Sequence, residues 1–312
     1  MARVTGTELL RSRLTEAGID DVEDIEQVAG GEVGIAGLVR RPSGTVFAKT
    51  YRGQRDDDAF LAEADGLDAL RELGGVTTPD VLLATRGVLV LERLRPRVDS
   101  PEFWERLAHQ VAHLHTSTAG GRFGWHRPTW LGLEPQDNTW EDDGFEFYAR
   151  RRLLRWLPEP RVQAAFDEQD RRALELLCDR LRELLPDKPA CLTHGDLWSS
   201  NVIATADGEA ALVDAAVSRT WAEVDVAMLW SEPRPPESER FFDVYAEVTG
   251  LDDGWRDRMP LLYLRQNLAV VAQFEPDWDA AQTVREVLAP FRRTAPARRR
   301  VDGPRAWTTG RS

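Results

Sequence analysis

His194-Gly195-Asp196-Leu197-Trp198-Ser199-Ser200-Asn201 sets a carboxylate five residues before a carboxamide, and the apolar run Ala210-Ala211-Leu212-Val213 then delivers a second carboxylate, Asp214. Moving a phosphoryl group onto a hydroxyl needs a base within hydrogen-bond reach of that hydroxyl. It also needs hard oxygen ligands for a divalent cation that keeps several of its waters, where His or Cys would not serve. Asp196, on a tight loop after the Ala190 to Thr193 strand, has the type and place of the base. Asn201 and Asp214 have the types that hold Mg²⁺ on nucleotide phosphates. Asp, Ser and Asn are also ordinary turn residues, but a surface turn does not require a downstream strand that ends in another Asp.

Such a loop needs a partner that handles phosphate, and the elements upstream supply candidates. Thr45 to Lys49 reads as a strand after the turn Arg41-Pro42-Ser43-Gly44, and Lys49 is one of two lysines in a chain that otherwise uses Arg; the other is Lys188. A compact ammonium in an apolar strand suits the α- and β-phosphates of a nucleotide, although a solvated edge-strand lysine has the same local sequence. Residues 56–73 place Phe60, Leu61, Ala64, Leu67, Leu70 and Leu73 at a helical period. Glu63 on that helix is the natural ion-pair partner of Lys49, while a solvated helix Glu would look identical. Gly30 and Gly31, in Gly30-Gly31-Glu32-Val33-Gly34, would let backbone amides approach phosphate; a plain hairpin turn has the same composition. The order loop, strand, Lys, helix, Glu is more specific than any of its parts.

Over roughly residues 25–275 the order and spacing resemble the fructosamine kinase (ketosamine 3-kinase) family, within the aminoglycoside-phosphotransferase and choline-kinase-like group. The resemblance rests on His194 to Asn201, with Trp198 setting it apart from related antibiotic kinases. It rests further on Phe123-Gly124-Trp125-His126 through Pro135-Gln136, Asn138 and Trp140 to Phe147-Tyr148 and Arg151-Arg152-Leu153, on Glu63-Ala64-Asp65-Gly66-Leu67, and on Glu223-Val224-Asp225-Val226-Ala227-Met228. It implies Asp196 as catalytic base, Asn201 and Asp214 as Mg²⁺ ligands, Lys49 with Glu63 on ATP, Trp198 beside the sugar, and hinge backbone at Glu92 to Leu94 against adenine. His194 resembles a loop-bracing histidine. Departures fall on the acceptor side. Ala215 stands where the family often has Pro, Arg219-Thr220-Trp221 replaces Tyr-Gly-His, and Pro128 to Glu134 replaces an Asp-Asn-aromatic-Ile-Gly-Ser-Thr pattern.

The fold this implies is α+β, two-lobed and protein-kinase-like, with a small antiparallel-sheet N-lobe and a mostly helical C-lobe. The expected division is 1–92 for the nucleotide-binding lobe, 93–291 for the catalytic and substrate-binding lobe, and 292–312 for a basic, disordered tail. Helical patterns fall at Glu8 to Ala17, Ser100 onward, Phe145 to Trp156, Arg171 to Leu184, Glu237 to Val248, Met259 to Val271 and Ala281 to Leu288. Val81 to Leu83 and Val88 to Leu91 read as a hairpin. Asp142 and Asp143 complement a helix dipole whose far end holds Arg150 to Arg152 and Arg155. The loop from Ala119 to Trp140 is long and aromatic, and Trp140 with Trp198 and Trp221 would form a wall for a sugar face. For Trp125 and Trp140, a hydrophobic cluster that pins the loop is an equal reading.

Composition bounds the class. The chain has 312 residues, 42% apolar and 30% charged, with a net charge of −13, which suits a water-soluble globular protein. No apolar stretch of about 20 residues and no basic-then-apolar leader is present, so the cytoplasm is the expected compartment. Cys178 and Cys191 lack disulfide-scaffold or metal-ligand spacing. His109, His113 and His115 do not make a Mg²⁺ site, because Mg²⁺ does not favour imidazole. The acidic body argues against nucleic acid as the main ligand, although the tail from Arg292 holds seven Arg against one Asp. The expected activity is ATP-dependent phosphorylation of a ketosamine, free or on glycated protein, by a monomer. An aminoglycoside or other amino-sugar is the alternative acceptor, and a non-catalytic nucleotide- or sugar-binding module is the third reading.

Overall fold

The N-terminal third is organised by alternation. The computed structural model describes residues 5–28, 34–53, 55, 57–274 and 279–292. Helix α1 (Gly6–Glu16) begins at Thr5, whose side chain and Glu8 form a reciprocal capping box. The strands β1 (Asp24–Val28), β2 (Gly34–Arg41) and β3 (Gly44–Tyr51) follow, then helix α2 (Ala59–Gly74) and the hairpin β4 (Val81–Ala84) and β5 (Leu89–Glu92). They make one antiparallel sheet in the order β1-β2-β3-β5-β4. Because successive strand residues point to opposite faces, Val88 and Val90 join Leu10, Leu14, Ile35, Val39 and Ala48 beneath α1. Leu89 and Leu91 turn the other way, to the main core with Phe60, Leu67 and Leu70 of α2. Gly30 and Gly31, the expected phosphate loop, and the tail beyond Arg292 lie outside the described residues.

After β5 the chain crosses to the larger half, where Arg95 bridges Ala204 in both backbone directions, at 2.8 and 2.9 Å. Helix α3 (Pro101–Ser117) starts as expected, with Ser100 Oγ accepting from the Phe103 amide and Pro101 in the first turn. The stretch read as a long loop contains a hairpin, β6 (Thr129–Leu131) and β7 (Glu134–Gln136). The single helix expected from Phe145 to Trp156 is broken. The α-helix α4 (Gly144–Tyr148) passes into a π turn at Ala149–Leu153 and a 3-10 turn at Leu154–Trp156. Asp143 caps α4, accepting from the amides of Phe145 and Glu146, but Arg150 to Arg152 lie in the π turn and Arg155 in the 3-10 turn rather than at the end of one continuous dipole.

Helices α5 (Pro160–Ala165), α6 (Glu168–Asp179) and α7 (Leu181–Leu184) follow, the last two splitting the helix expected over Arg171 to Leu184. Short strands β8 (Cys191–Thr193), β9 (Val202–Ala204), β10 (Ala210–Leu212) and β11 (Ser218–Thr220) pair antiparallel as β8 with β11 and β9 with β10. The helices α8 (Glu223–Ser231), α9 (Glu239–Thr249), α10 (Trp255–Gln273) and α11 (Ala280–Arg292) complete a helical core, in which Trp104, Trp156, Tyr148 and Tyr245 are buried. No helix among the described residues is long and apolar enough to cross a membrane.

Candidate active site

Lys49 lies in β3 between Ala36 and Leu89 of its neighbouring strands. Its Nζ is 2.8 Å from Glu63 of α2 and donates to Oδ1 of Asp214. Burial works against the ammonium, but the two carboxylates outweigh it and hold Lys49 above its ordinary pKa. The same burial pushes Glu63 up to about 7, with Lys49 opposing. For Asp214, Lys49 overcomes burial and keeps the group below the usual carboxylate range. Asp214 also has φ +59, the left-handed region that a non-glycine residue enters at some cost. The three residues expected to meet on a nucleotide, from β3, α2 and the segment after β10, are thus in direct contact.

The loop after β8 is fixed from beneath. Both carboxylate oxygens of Asp225, in α8, accept its backbone amides, His194 at 2.6 Å and Gly195 at 2.9 Å, while His115 Nε2 lies 3.2 Å from the same carboxylate. His115 in turn meets the Tyr245 hydroxyl at 2.7 Å. Gly195, at φ +83, has no room for a side chain, since a Cβ would fall 2.0 Å from the Ala216 carbonyl oxygen. His194 braces the loop as its resemblance implies. Nδ1 accepts from the Asp196 amide at 3.2 Å and Nε2 lies 2.9 Å from the Val213 carbonyl oxygen, an arrangement of a neutral ring whose pKa burial lowers.

Asp196 is thereby presented with one oxygen tied and the other unpartnered. Oδ2 accepts from Asn201 Nδ2 at 3.1 Å, whereas Oδ1 is sealed from solvent and has no partner among the described residues. Burial lifts this carboxyl to about 7, with the Arg265 guanidinium opposing and the Asp214 charge adding to the rise. Arg265, on α10, is 4% exposed and bridges elements far apart in the chain, donating to Gly195 O and, at 2.9 Å, to Gln136 Oε1 of β7.

Sequence reasoning assigned no role to Arg265, Asp225 or His115. Asp225 had a legible signal, a carboxylate inside the apolar run Val224 to Leu229. Arg265 had none, because α10 buries several faces and its polar residues show no single outward side.

The donor set suits a hard divalent cation. Nδ2 of Asn201 is used toward Asp196, at both its backbone and side-chain oxygens, so the amide's oxygen is the end left for a metal. The Val213 amide bonds Asn201 O at 3.0 Å and so sets Asn201 beside the residue preceding Asp214. One carboxylate and one carboxamide fit a cation that retains waters and phosphate oxygens, which a cluster of three protein acids would not require; no such cluster occurs among the described residues.

The other expected residues are placed as follows. Glu92 ends β5 with an exposed side chain, and its amide is taken by Asp80 O at 2.8 Å; Leu94 follows in the crossing segment before Arg95. Trp198, half-buried, belongs to the loop itself, its amide bonded to Asp196 O at 3.0 Å. Trp221 requires correction as part of a sugar-facing wall. It is 4% exposed, packs on Phe123, Phe145 and Tyr148, and donates to Lys188 O at 3.2 Å. A large indole at the end of β11 is more favourably buried among rings than left open. Trp140 is 37% exposed and lines an open groove with Gly121, Arg122 and Arg219, none of which belongs to the catalytic loop. Trp125 pins its loop, donating to Asp65 of α2 at 3.1 Å.

The model of the fructosamine kinase family matches residues 8–289. A protein of Enterococcus faecium named as a ketoamine kinase is 31% identical over 262 residues, covering 79% of this chain and 88% of its own. A chloroplastic protein-ribulosamine 3-kinase of Oryza sativa is 26% identical over 259 residues, covering 80% and 74%. Among solved structures, a Thermobifida fusca protein described as a fructosamine-3-kinase superposes with a TM-score of 0.78 at 31% identity, covering 91% of this chain and 97% of its own. An ADP-bound aminoglycoside phosphotransferase shares the fold at a TM-score of 0.58 and 11% identity, covering 90% and 96%.

Proposed function

This chain belongs to the fructosamine kinase family, and from that premise we propose that it transfers the γ-phosphoryl group of ATP to a sugar hydroxyl of a ketosamine, a fructosamine or ribulosamine. It is an ATP-dependent phosphotransferase with an alcohol group as acceptor. The observation that carries the reading is the convergence of Lys49, Glu63 and Asp214 with a braced Asp196 whose Oδ1 has no partner. In this reading Oδ1 of Asp196 receives the proton of the attacking hydroxyl, and Asn201 orients the carboxylate through Oδ2. Lys49, held charged by its two carboxylates, binds nucleotide phosphate, and Glu63 keeps it in place. Asp214 and the oxygen of Asn201 would hold Mg²⁺, which when bound neutralises charge on the phosphates.

Gly30 and Gly31 over the phosphates, the Glu92 to Leu94 hinge against adenine, and Trp198 beside the sugar complete the assignment, with the lobe boundary near residue 92. The protein is proposed to act as a monomer in the cytoplasm, on free ketosamines or on those of glycated protein.

The test is Mg²⁺-dependent ADP release with a synthetic fructosamine and ribulosamine, an aminoglycoside and buffer as parallel acceptors. Turnover stimulated by ketosamine supports the reading; phosphorylation of the aminoglycoside alone overturns it. That second acceptor has one specific support, the replacement of the 128–134 and 219–221 segments, which here form the β6 to β7 hairpin and β11 with the buried Trp221.

A further inference from the structure

Glu232, which no part of the proposed transfer chemistry uses, closes the C-terminus of α8. A carboxylate there faces the negative end of the helix dipole, a placement that costs stability rather than adding it. Its backbone is nonetheless engaged, with the amide bonded to Met228 O at 3.3 Å. Its side chain is half-buried and oriented, since the Tyr263 hydroxyl of α10 donates to Oε1. Among the described residues no Lys or Arg pairs with it.

The position of Glu232 relative to the reacting loop is fixed by its neighbour, for Ser199 Oγ donates to Pro233 O at 2.8 Å, directly after Trp198. The charges of Glu232 and Asp196 are felt by one another's surroundings. Burial lifts both the Asp196 carboxyl and the Tyr263 phenol; Glu232 adds a smaller part to each rise, and Asp196 adds to that of Tyr263. The fixed cation nearby, Arg265, is committed to Gly195 O and Gln136. Two further arginines nearby are committed elsewhere, Arg97 to the carbonyls of Ser199 and Val202 and Arg234 to Ser238 and Glu239, so among the described residues Glu232 pairs with no cation while Asp196 Oδ1 is sealed and has no partner.

We propose that Glu232, oriented by Tyr263, is the specificity residue that binds the protonated amine of the acceptor while its sugar hydroxyl meets Asp196. A ketosamine carries such an amine next to the sugar carbon chain, and a secondary ammonium would neutralise the excess negative charge with a charge-assisted hydrogen bond. The inference rests on the ketosamine reading for its substrate class, and on the geometry alone for its charge.

The experiment compares wild type, Glu232→Gln and Tyr263→Phe on a cationic N-alkyl fructosamine and on the N-acylated form, which has the same sugar and no charge. Glu232→Gln is expected to raise KM for the cationic acceptor by about 10- to 100-fold, the range of a hydrogen bond to a charged group. KM for ATP and for the acylated acceptor should stay within about threefold, with thermal stability unchanged or slightly raised. Tyr263→Phe should move the same KM in the same direction by less. Equal changes for both acceptors, or none for the cationic one, would overturn the assignment.

Calorimetric titration of the same pair reads the discrimination without turnover, and selective loss of the amine's binding supports the anchor while equal binding refutes it. If wild type instead phosphorylates only an aminoglycoside, the ketosamine reading fails. Glu232 is then judged by the same contrast between that aminoglycoside and its N-acetylated form.

Discussion

On the phosphate side of the cleft, Lys49 is already neutralised by Glu63 and Asp214, and among the described residues the second Glu63 oxygen, Oε1, is left buried without a partner. On the acceptor side, Asp196 offers an oxygen without a partner and Glu232 a carboxylate without a cation among the described residues. A buried polar atom left unmade costs about 1–3 kcal/mol, so each side carries one such deficit, at Glu63 Oε1 and at Asp196 Oδ1, and on the acceptor side a bound hydroxyl would offset it. The phosphate side performs a step common to many acceptors and reads as a motif.

The comparison can be broken at several points. The largest effect is expected for Asp196→Asn. Turnover should fall by about 10²- to 10⁴-fold, the range of a positioned base, while nucleotide affinity measured by calorimetry stays nearly constant; a parallel loss of ATP binding would merge the two sides into one.

Trp221→Ala should lower stability by about 3–5 kcal/mol in denaturant titration, the cost of emptying a buried aromatic site. Trp221→Phe should leave the acceptor KM within about twofold, since that ring packs in the core. Gly195→Ala forces a Cβ onto the Ala216 carbonyl oxygen, and a loop displaced by even 1 Å is expected to cost about 10²-fold in kcat, read in single-turnover kinetics.

Arg265→Lys retains charge but not the two-pronged link between Gly195 and Gln136, and should reduce kcat about tenfold with KM for ATP unchanged. A smaller effect than these losses is expected for Trp198→Ala, which should weaken acceptor binding by about fivefold through loss of aromatic contact, with thermal stability little altered. An unchanged acceptor KM would remove Trp198 from the sugar side.

The elements of the N-terminal sheet were legible as short apolar runs bounded by turn residues, as in Val88 to Leu91 after Arg86-Gly87, although only the fold divides those four side chains between two cores. The start of α3 was equally plain, since Ser100 and Pro101 act within one turn. Local signals failed where packing decided. The π turn after Tyr148 interrupts a stretch whose periodicity reads as one helix, and the hairpin at Thr129 to Gln136 is set by contacts such as Leu133 N to Gln273 Oε1 at 2.7 Å.

The sequence by itself picked out the candidate phosphoryl-transfer set, because Asp196, Asn201 and Asp214 lie within twenty residues on a loop, a turn and the segment after a strand, and because Lys49 stands out in a chain almost without lysine. Only the tertiary structure decided that Trp221 is core, that Asp225 and His115 hold the loop, that Arg265 ties the loop to β7, and that Glu232 meets Tyr263. Those placements come from helices packed across long separations in the chain, where a charged residue's neighbours follow from how the helices dock and no spacing along the sequence records them.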